Sequence, residues 1–300
     1  MIKKLMSYIG EYKRDTLLSP ISVTFEVILE VLLPMLMAKV IDNGVEAGNM
    51  NYVVKMGLLM LVVAMLSLAA GTLSGVFAAR ASMGFGKNLR KAMYDNIQDF
   101  SFQNIDHFST AGLVTRMTTD VTNVQNAYQM LIRMAVRAPL MTVFSVIMSM
   151  SINVRMSFIF LALLPVLAAA LFGIFFYVHP IFKRIFKKYD ALNNSVQENV
   201  GGIRVVKSFV REDYEKEKFE NAAEEVRKDF TMAEKILALN NPVMTFCIYV
   251  SMLLVSFFGA KLIIGTGGSE LSTGELSSLI SYGVQILTSM MMLSMVFVMI

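Results

Sequence analysis

The 300-residue sequence contains one cysteine, two histidines and no tryptophan. A single cysteine cannot form a disulfide within the chain, and the isolated His107 and His179 do not make a metal-binding pattern. Charge is also scarce, since 17% of the residues are charged, 55% are hydrophobic and the mean hydropathy is +0.58. These absences exclude a disulfide scaffold and an ordinary soluble domain, and they predict that charged and apolar residues are segregated along the chain.

Six apolar segments are long enough, or nearly so, to cross a bilayer core of ~30 Å, which requires about 20 helical residues. The third is short, but the preceding residues 130–138 are mostly apolar except for Arg133 and Arg137, so we expect this span to begin earlier. The sequence therefore predicts an all-α membrane protein. Its predicted spans are 17–41, 53–79, 139–151, 156–178, 243–265 and 276–300.

Positive charge predicts the orientation of these spans. With a cytoplasmic N terminus, the inner segments 1–15, 80–137 and 180–242 hold 4, 7 and 12 of the 27 Lys and Arg residues. This bias follows the positive-inside rule and predicts a multi-pass protein of the cell membrane. The net charge of +4 is then a consequence of topology, and nothing supports a nucleic-acid partner. Residues 1–15 lack a signal-cleavage site and are expected to form an amphipathic elbow helix on the bilayer surface.

The two long inner segments carry apolar residues at helical spacing, which predicts two extended helical arms. About 25 helical residues would carry each arm roughly 35 to 40 Å beyond the membrane. The periodicity fails at 101–112 and at 208–215, which mark the predicted tips. Both tips mix aromatic and charged side chains, a composition typical of docking surfaces. Solvated turns are the alternative interpretation.

The sequence at this point resembles the ATP-binding-cassette (ABC) exporters of the type IV fold, and the resemblance covers the whole chain. It is most similar to a subunit of heterodimeric multidrug exporters. Three groups of residues match the family in the expected order. They are Leu33, Pro34, Ala38, Ile41 and Asp42 in the first span; Phe108, Gly112, Leu113, Arg116, Asp120 and Val121 in the first arm; and Glu198, Gly202, Ile203, Val206, Lys207, Phe209, Glu212 and Phe219 in the second arm.

The resemblance implies six long transmembrane helices, a second half-transporter subunit as a hetero- or homodimeric partner, and nucleotide-binding domains that hold ATP and Mg. The second arm of the family crosses to the ATPase domain of the partner subunit, and the first arm contacts the seam between the two. The two arm tips are then coupling segments. The residues expected to contact the ATPase domains are Asn104, Asp106, His107, Phe108, Phe209, Arg211, Glu212, Asp213 and Tyr214.

The sequence does not contain the phosphate-binding loop of an ATPase. Its single Gly-Lys pair, Gly86-Lys87, is followed by Asn88 rather than Ser or Thr and lacks the upstream glycine. We therefore expect no catalytic, nucleotide-binding or metal site in this segment. Because the chain ends at Ile300 inside an apolar run, a nucleotide-binding domain is expected after residue 300. A half-transporter with a separate ATPase is the alternative.

Two sets of residues are candidates for contact with cargo. Glu26 and Glu30 lie one turn apart near the middle of the first span, where a charge costs about 2.5 to 3.5 kcal/mol on insertion scales. No Lys or Arg occupies the centre of another predicted span, so the acids are expected to face water, a partner subunit, a cation, or each other through a shared proton. One interpretation is a cavity that favours cationic amphiphiles, and the other is a subunit contact. Met292, Met295 and Met299 share one face of the last span, where flexible thioethers suit varied cargo or ordinary packing.

The sequence thus predicts an exporter membrane domain that moves small amphiphilic, multidrug-type compounds out of the cytoplasm by alternating access. A lipid or peptide exporter of the same family, and an ATP-gated channel or regulatory subunit, remain alternatives. A secondary transporter is disfavoured, because neither an inverted repeat nor broken mid-span helices are evident. Five prolines, Pro34, Pro139, Pro165, Pro180 and Pro242, are expected to kink helices or mark their starts.

Overall fold

The computed structural model describes residues 2–101 and 110–299, without the side chains of residues 2–4, 111 and 297–299. In these two ranges the secondary structure is helical, with no strand, which confirms the predicted all-α class. The α-helices are α1 (Ile2–Ser7), α2 (Lys13–Val40), α3 (Met50–Gln98), α4 (Thr110–Thr115), α5 (Val121–Ile152), α6 (Val154–Gly201), α7 (Ile203–Ser208), α8 (Glu212–Ala238), α9 (Asn240–Thr266) and α10 (Thr273–Met299).

Six helical segments of the described chain are long and apolar enough to cross a membrane, which confirms the predicted number of spans. The third span begins earlier than its apolar core, as expected, because α5 runs without interruption from Val121 through Pro139 to Ile152. The six segments are Gly10–Glu46, Met50–Gln98, Gly112–Ile152, Val154–Gly201, Glu212–Thr266 and Thr273–Val296.

The segments that connect these helices on the predicted outer side are short. A π-helical turn, Ile41–Glu46, extends the first span, so only residues 47–49 separate it from α3. Asn49 caps α3 by accepting a hydrogen bond from the Tyr52 backbone N–H at 3.2 Å. A single residue, Asn153, separates α5 from α6. The short connection at 47–49 holds α2 and α3 side by side.

The start of α10 is held by a capping box and by a carboxylate from the first span. The Ser272 N–H donates to Glu275 Oε2 at 2.9 Å, and the Glu275 N–H donates to Ser272 Oγ at 3.1 Å, so each residue satisfies the other's free backbone donor. Asp42 accepts hydrogen bonds from Ser272 Oγ at 2.6 Å and from the Gly274 N–H at 2.8 Å. The Asp of the first-span motif therefore anchors the first turn of the last span.

The chain divides into two compact units, of which the first comprises residues 1–162 and 248–300. Its core contains Val23, Val27 and Val31 of α2, packed with Met141 of α5 and Tyr282 of α10. Lipid is as apolar as these side chains, so contacts between helices rely on close packing and hydrogen bonds rather than on the hydrophobic effect.

Hydrogen bonds between helices reinforce this unit. The Tyr282 hydroxyl donates to the Val31 carbonyl at 2.8 Å, and Ser278 Oγ donates to the Pro34 carbonyl at 2.5 Å. Hydrogen bonds between membrane helices contribute about 0.6 kcal/mol each, and these two join α10 to α2 near Pro34.

The N-terminal segment differs from the expected single amphipathic helix. Helix α1 ends at Ser7, and a 3₁₀ turn, Gly10–Tyr12, follows, with Gly10 at a φ of +53° that a continuing α-helix does not permit. Ile9 is buried in a cluster with Phe85, Leu89 and Val121, so this segment packs on α3 and α5. The Asn88 amide completes the contact by donating to the Tyr8 carbonyl at 3.1 Å.

The second compact unit, residues 163–247, contains the second arm. Ile181 and Ile185 of α6 pack against Ala233 of α8, which confirms the apolar stripe inferred from helical spacing. The chain leaves helical structure at 209–211, within the predicted break, and a second interruption occurs at Gly202. Val210, at the tip, has a φ of 49°, a value uncommon for a β-branched residue.

Candidate functional site

Glu26 and Glu30 of α2 are bound to one side chain of α5, Arg137. Arg137 Nη1 donates to Glu26 Oε1, and Nη2 donates to Glu30 Oε2 at 2.6 Å. The exposed fractions of the three side chains are 11% for Glu26, 34% for Glu30 and 23% for Arg137. We call Glu26, Glu30 and Arg137 the acid–arginine triad. The acids therefore have a basic partner within the same chain, which the sequence interpretation did not assign to them.

Sequence reasoning missed this partner because Arg137 precedes the apolar core of its span. The continuous helix α5 nevertheless places Arg137 beside the middle of α2. Charges attract strongly where the effective dielectric constant is low, and a guanidinium can bond two carboxylates through its separate N–H groups. The triad is thus hydrogen bonded internally and retains a formal charge of −1.

The triad lines a groove of about 430 Å³ between α2, α3 and α5. This volume falls within the usual range of small-molecule sites. Its wall combines charged and small polar groups with apolar side chains: besides the triad, it includes Leu33, Ala64, Ser67, Leu68, Gly71, Thr72 and Arg133.

Gly71 leaves room for the Glu26 carboxylate where α3 meets the triad. A Cβ atom at this position would lie 2.8 Å from Glu26 Oε1 and 2.9 Å from the carboxyl carbon, which is closer than real side chains approach. Ser67, one turn earlier on α3, donates to the Glu26 carbonyl at 3.4 Å. The close approach of α3 therefore sets the position of the Glu26 carboxylate.

The candidate methionines lie on α10, which contacts both helices of the triad. Tyr282 bonds to α2 as described, and Ser289 shares a 2.6 Å hydrogen bond with Thr142 of α5. Met292 is half-buried and Met295 is 63% exposed, whereas the side chain of Met299 lies outside the described part. A role for these methionines in cargo binding stays a prediction.

The predicted coupling residues of the first arm, Asn104, Asp106, His107 and Phe108, lie outside the described residues. At the tip of the second arm, Phe209 is 74% exposed and Tyr214 is 56% exposed. The Arg211 guanidinium lies 5.4 Å from the Tyr214 ring centre, which positions that ring beside the start of α8. Coupling of these side chains to an ATPase domain stays a prediction.

Charged side chains at the same tip form local ion pairs. Glu212 accepts from Lys207 Nζ at 3.0 Å, and Asp213 accepts from Lys216 Nζ at 3.0 Å. The first contact joins the end of α7 to the first turn of α8, and the second lies within α8.

A second charge cluster, which sequence reasoning also missed, lies in the arm outside the apolar spans. Asp229 of α8 accepts two hydrogen bonds from Arg184 at 2.9 Å, and Lys188 Nζ lies 3.0 Å from the same carboxylate. We call Asp229, Arg184 and Lys188 the arm cluster. The Lys188 ammonium, followed by the Arg184 guanidinium, holds the pKa of Asp229 below its ordinary value. The spacing of Arg184 and Lys188, one helical turn apart, was the available sequence signal.

The Gly86-Lys87 pair is helical rather than part of a loop. Both residues lie in the middle of α3, where Gly86 makes room for the side chain of Gln125. A phosphate-binding loop needs successive backbone N–H groups directed at the ligand, and a helix interior uses these groups internally. Within the two described ranges, no group of three His, Cys, Asp or Glu residues could hold a metal ion.

Comparison with known proteins agrees with this architecture. Residues 16–290 match the family described as the ABC transporter transmembrane region. YfiB of Bacillus subtilis, an uncharacterized ABC transporter ATP-binding protein, is 30% identical over 95% of this chain and 49% of its own length. The uncharacterized ABC transporter ATP-binding protein MT1311 of Mycobacterium tuberculosis is 30% identical over 98% of the chain and 50% of its own length. An ATP-dependent lipid A-core flippase of Aromatoleum aromaticum is 28% identical over 70% of this chain and 34% of its own length.

The fold and these matches define a multi-pass membrane protein of the transporter class. The chain belongs to the family of ABC transporter transmembrane regions. It spans about half the length of the curated relatives YfiB and MT1311.

Proposed function

We propose that this chain is the membrane domain of an ATP-driven exporter that moves amphiphilic, multidrug-type compounds out of the cytoplasm by alternating access. The proposal includes a second half-transporter subunit and nucleotide-binding domains that hold ATP and Mg. The relatives YfiB and MT1311 are named as ATP-binding proteins and are about twice as long as this chain, which supports a coupled ATPase.

The groove beside the acid–arginine triad is the observation that carries the cargo proposal. Its charged groups stand beside apolar residues such as Leu33 and Leu68, so the groove offers contacts both to a polar head and to an apolar body. An amphiphile has both parts. A purely polar solute would leave the apolar side chains without a complementary partner.

The orientation with a cytoplasmic N terminus is part of the proposal, supported by the distribution of Lys and Arg. Single cysteines at Asn49 and Asp106, introduced into a Cys247→Ala background, should react with impermeant maleimide from opposite sides of the membrane. Asn49 caps the start of α3, which lies on the outer side in the proposed orientation. Labelling of both positions from one side would contradict the six-span arrangement.

Coupling through the second arm is tested by removing its exposed rings. Phe209→Ala and Tyr214→Ala should each reduce cargo-stimulated ATP hydrolysis of the full-length protein severalfold, because an aromatic ring removed from a docking surface costs about 1 to 2 kcal/mol or more. Tyr189→Ala provides a matched control, since Tyr189 is 48% exposed on α6, away from the tip. Normal stimulation in both tip variants would argue against the coupling role.

Lipid export is a second candidate, favoured by the similarity to a lipid A-core flippase. Reconstituted vesicles separate the candidates: fluorescent lipid should change leaflet on ATP addition if lipid is the cargo, whereas a soluble amphiphilic dye should accumulate if export is of the multidrug type. An ATP-gated channel would dissipate a dye gradient and would not build one.

A further inference from the structure

The charges that line the groove balance when all of them are counted. The acid–arginine triad contributes two carboxylates and one guanidinium, and Arg133, one helical turn before Arg137, adds a second guanidinium. The sum of the formal charges is zero. A groove with no net charge does not by itself favour a cation, so the cationic cargo suggested by the two acids alone loses its main electrostatic support.

Two groups in this groove have hydrogen-bonding capacity that the protein does not use. Glu26 is buried, and although its Oε1 atom is bound by Arg137, its Oε2 atom has no hydrogen-bond donor in the described structure. Arg133 is half-buried, and no ion pair or hydrogen bond joins its guanidinium to another described residue. Buried polar atoms are normally satisfied, so Glu26 Oε2 lacks a donor that a ligand can supply, and the partly exposed Arg133 guanidinium is available to an anionic group.

The two unused groups are held at a defined separation by glycines of α3. Glu26 lies against Gly71, and the Arg133 guanidinium lies against Gly75, with Nη1 3.6 Å from the position that a Cβ atom would occupy. Gly71 and Gly75 are four residues apart on one helix, which is about one turn, or roughly 6 Å. An acceptor and a cationic donor therefore stand about one turn apart along the same wall.

We infer that the groove binds a zwitterionic amphiphile of the phosphoethanolamine type. Its phosphate bonds the Arg133 guanidinium in the planar geometry that arginine favours, and its primary ammonium donates to Glu26 Oε2 after a small turn of that side chain. Its apolar chain lies against Leu33 and Leu68. This inference rests on the proposed function, because it specifies the chemical class of ligand for the same groove.

A binding measurement without ATP tests the inference separately from transport. Full-length protein purified in a maltoside detergent would be titrated calorimetrically with dihexanoyl phosphoethanolamine, dihexanoyl phosphatidic acid and a dihexanoyl glycerol ester that carries only an amine. We expect the zwitterion to bind about tenfold more tightly than either probe that carries only one of the two charged groups, a ratio equivalent to about 1.4 kcal/mol. Water-soluble phosphoethanolamine, tested alone, separates headgroup binding from binding that requires the chains.

Two substitutions test which side chain contacts the phosphate of the ligand and which contacts its ammonium group. Arg133→Gln should weaken binding of the zwitterion about tenfold and leave binding of the amine probe unchanged. Glu26→Gln should weaken binding of the zwitterion and leave binding of the phosphatidic acid unchanged. Arg80→Gln is the control for loss of a positive charge, because Arg80 is an exposed residue of α3 outside the groove. Equal effects of Arg133→Gln on all three probes would overturn the assignment.

A pair of glycine substitutions tests the shape of the site without removing a charge. Gly71→Ala should displace the Glu26 carboxylate and weaken binding of the zwitterion. Gly57→Ala is the control on the same helix, because a Cβ atom at Gly57 would have no neighbour within 4 Å, and this variant should bind the zwitterion like the wild type. If Glu26→Gln fails to fold, Gly71→Ala and Arg133→Gln still decide the result. Equal affinity of the wild type for all probes, or preference for the amine, would refute the inference. Selective binding without transport would support the site and refute the exporter proposal.

Discussion

The acid–arginine triad and the arm cluster each contain three charged side chains, but the ratio of acidic to basic residues is reversed between them. In the triad one guanidinium serves two carboxylates within a predicted span, and in the arm cluster one carboxylate serves two cations outside the apolar spans. The flanking acids of the triad, Glu26 and Glu30, are 11% and 34% exposed and lie within a predicted span. The flanking cations of the arm cluster, Arg184 and Lys188, are 53% and 32% exposed and lie outside the predicted spans. The same number of charges is therefore placed in two different dielectric environments.

The comparison indicates that the central residue of such a cluster contributes more to stability where water is scarce. Without Arg137, Glu26 and Glu30 would face each other one turn apart within a span, with little water to screen them. Without Asp229, Arg184 and Lys188 could turn their flexible side chains toward solvent. The central side chain of the triad should therefore be far less replaceable than that of the arm cluster.

The largest effect is expected for Arg137→Gln, which leaves both acids of the triad without a charged partner. Breaking a buried ion pair by removing one member typically costs about 3 to 5 kcal/mol. The melting temperature of the purified protein should therefore fall clearly, and Arg80→Gln should leave it near the wild-type value. Restoration by Glu26→Gln combined with Glu30→Gln would identify unpaired charge as the cause. A melting temperature unchanged in Arg137→Gln would contradict the structural role of the triad.

A smaller effect is expected for Asp229→Asn in the arm cluster, because its cations can become hydrated. The shift in melting temperature should be less than half of that produced by Arg137→Gln. The sign of the pH dependence follows from the lowered pKa of Asp229: its stabilising contribution is present above the ordinary value of 3.8 and is lost as the pH falls through the lower folded-state value. The difference between Asp229→Asn and the wild type should thus stay constant from about pH 6 to about pH 8 and shrink below about pH 4. A difference that grows in acid would be inconsistent with a lowered pKa.

The smallest effect is expected for the ion pair between Lys87 and Glu11. Both side chains are about two-thirds exposed, at 66% and 65%, although their charged atoms lie 3.3 Å apart. Exposed pairs contribute little, since water and salt screen them. Glu11→Gln should leave the melting temperature unchanged at low and at moderate salt. A salt-dependent fall in the melting temperature comparable with that of Asp229→Asn would show that side-chain exposure does not predict the order of the three stability effects.

Features that depend on neighbouring residues could be predicted from the sequence, whereas contacts between distant residues could not. The six spans follow from local hydropathy, and the apolar stripe with Ile181 and Ile185 on α6 follows from helical spacing. Asp42 was recognised as part of a motif, but its contacts with Ser272 and Gly274 were not, because these residues are 230 and 232 positions away in the chain. Contacts over such separations depend on which helices become neighbours, and local periodicity carries no information on that point.

The sequence by itself determined the helical class, the number of spans and the lack of a phosphate-binding loop pattern, because each is a property of neighbouring residues. Only the tertiary structure decided that Arg137 lies between Glu26 and Glu30, which are 111 and 107 residues away along the chain. A hydropathy pattern sums residues along one helix and does not record the rotation or the axial position of another. These two quantities decide whether two acids within a membrane are isolated charges or ligands of one guanidinium.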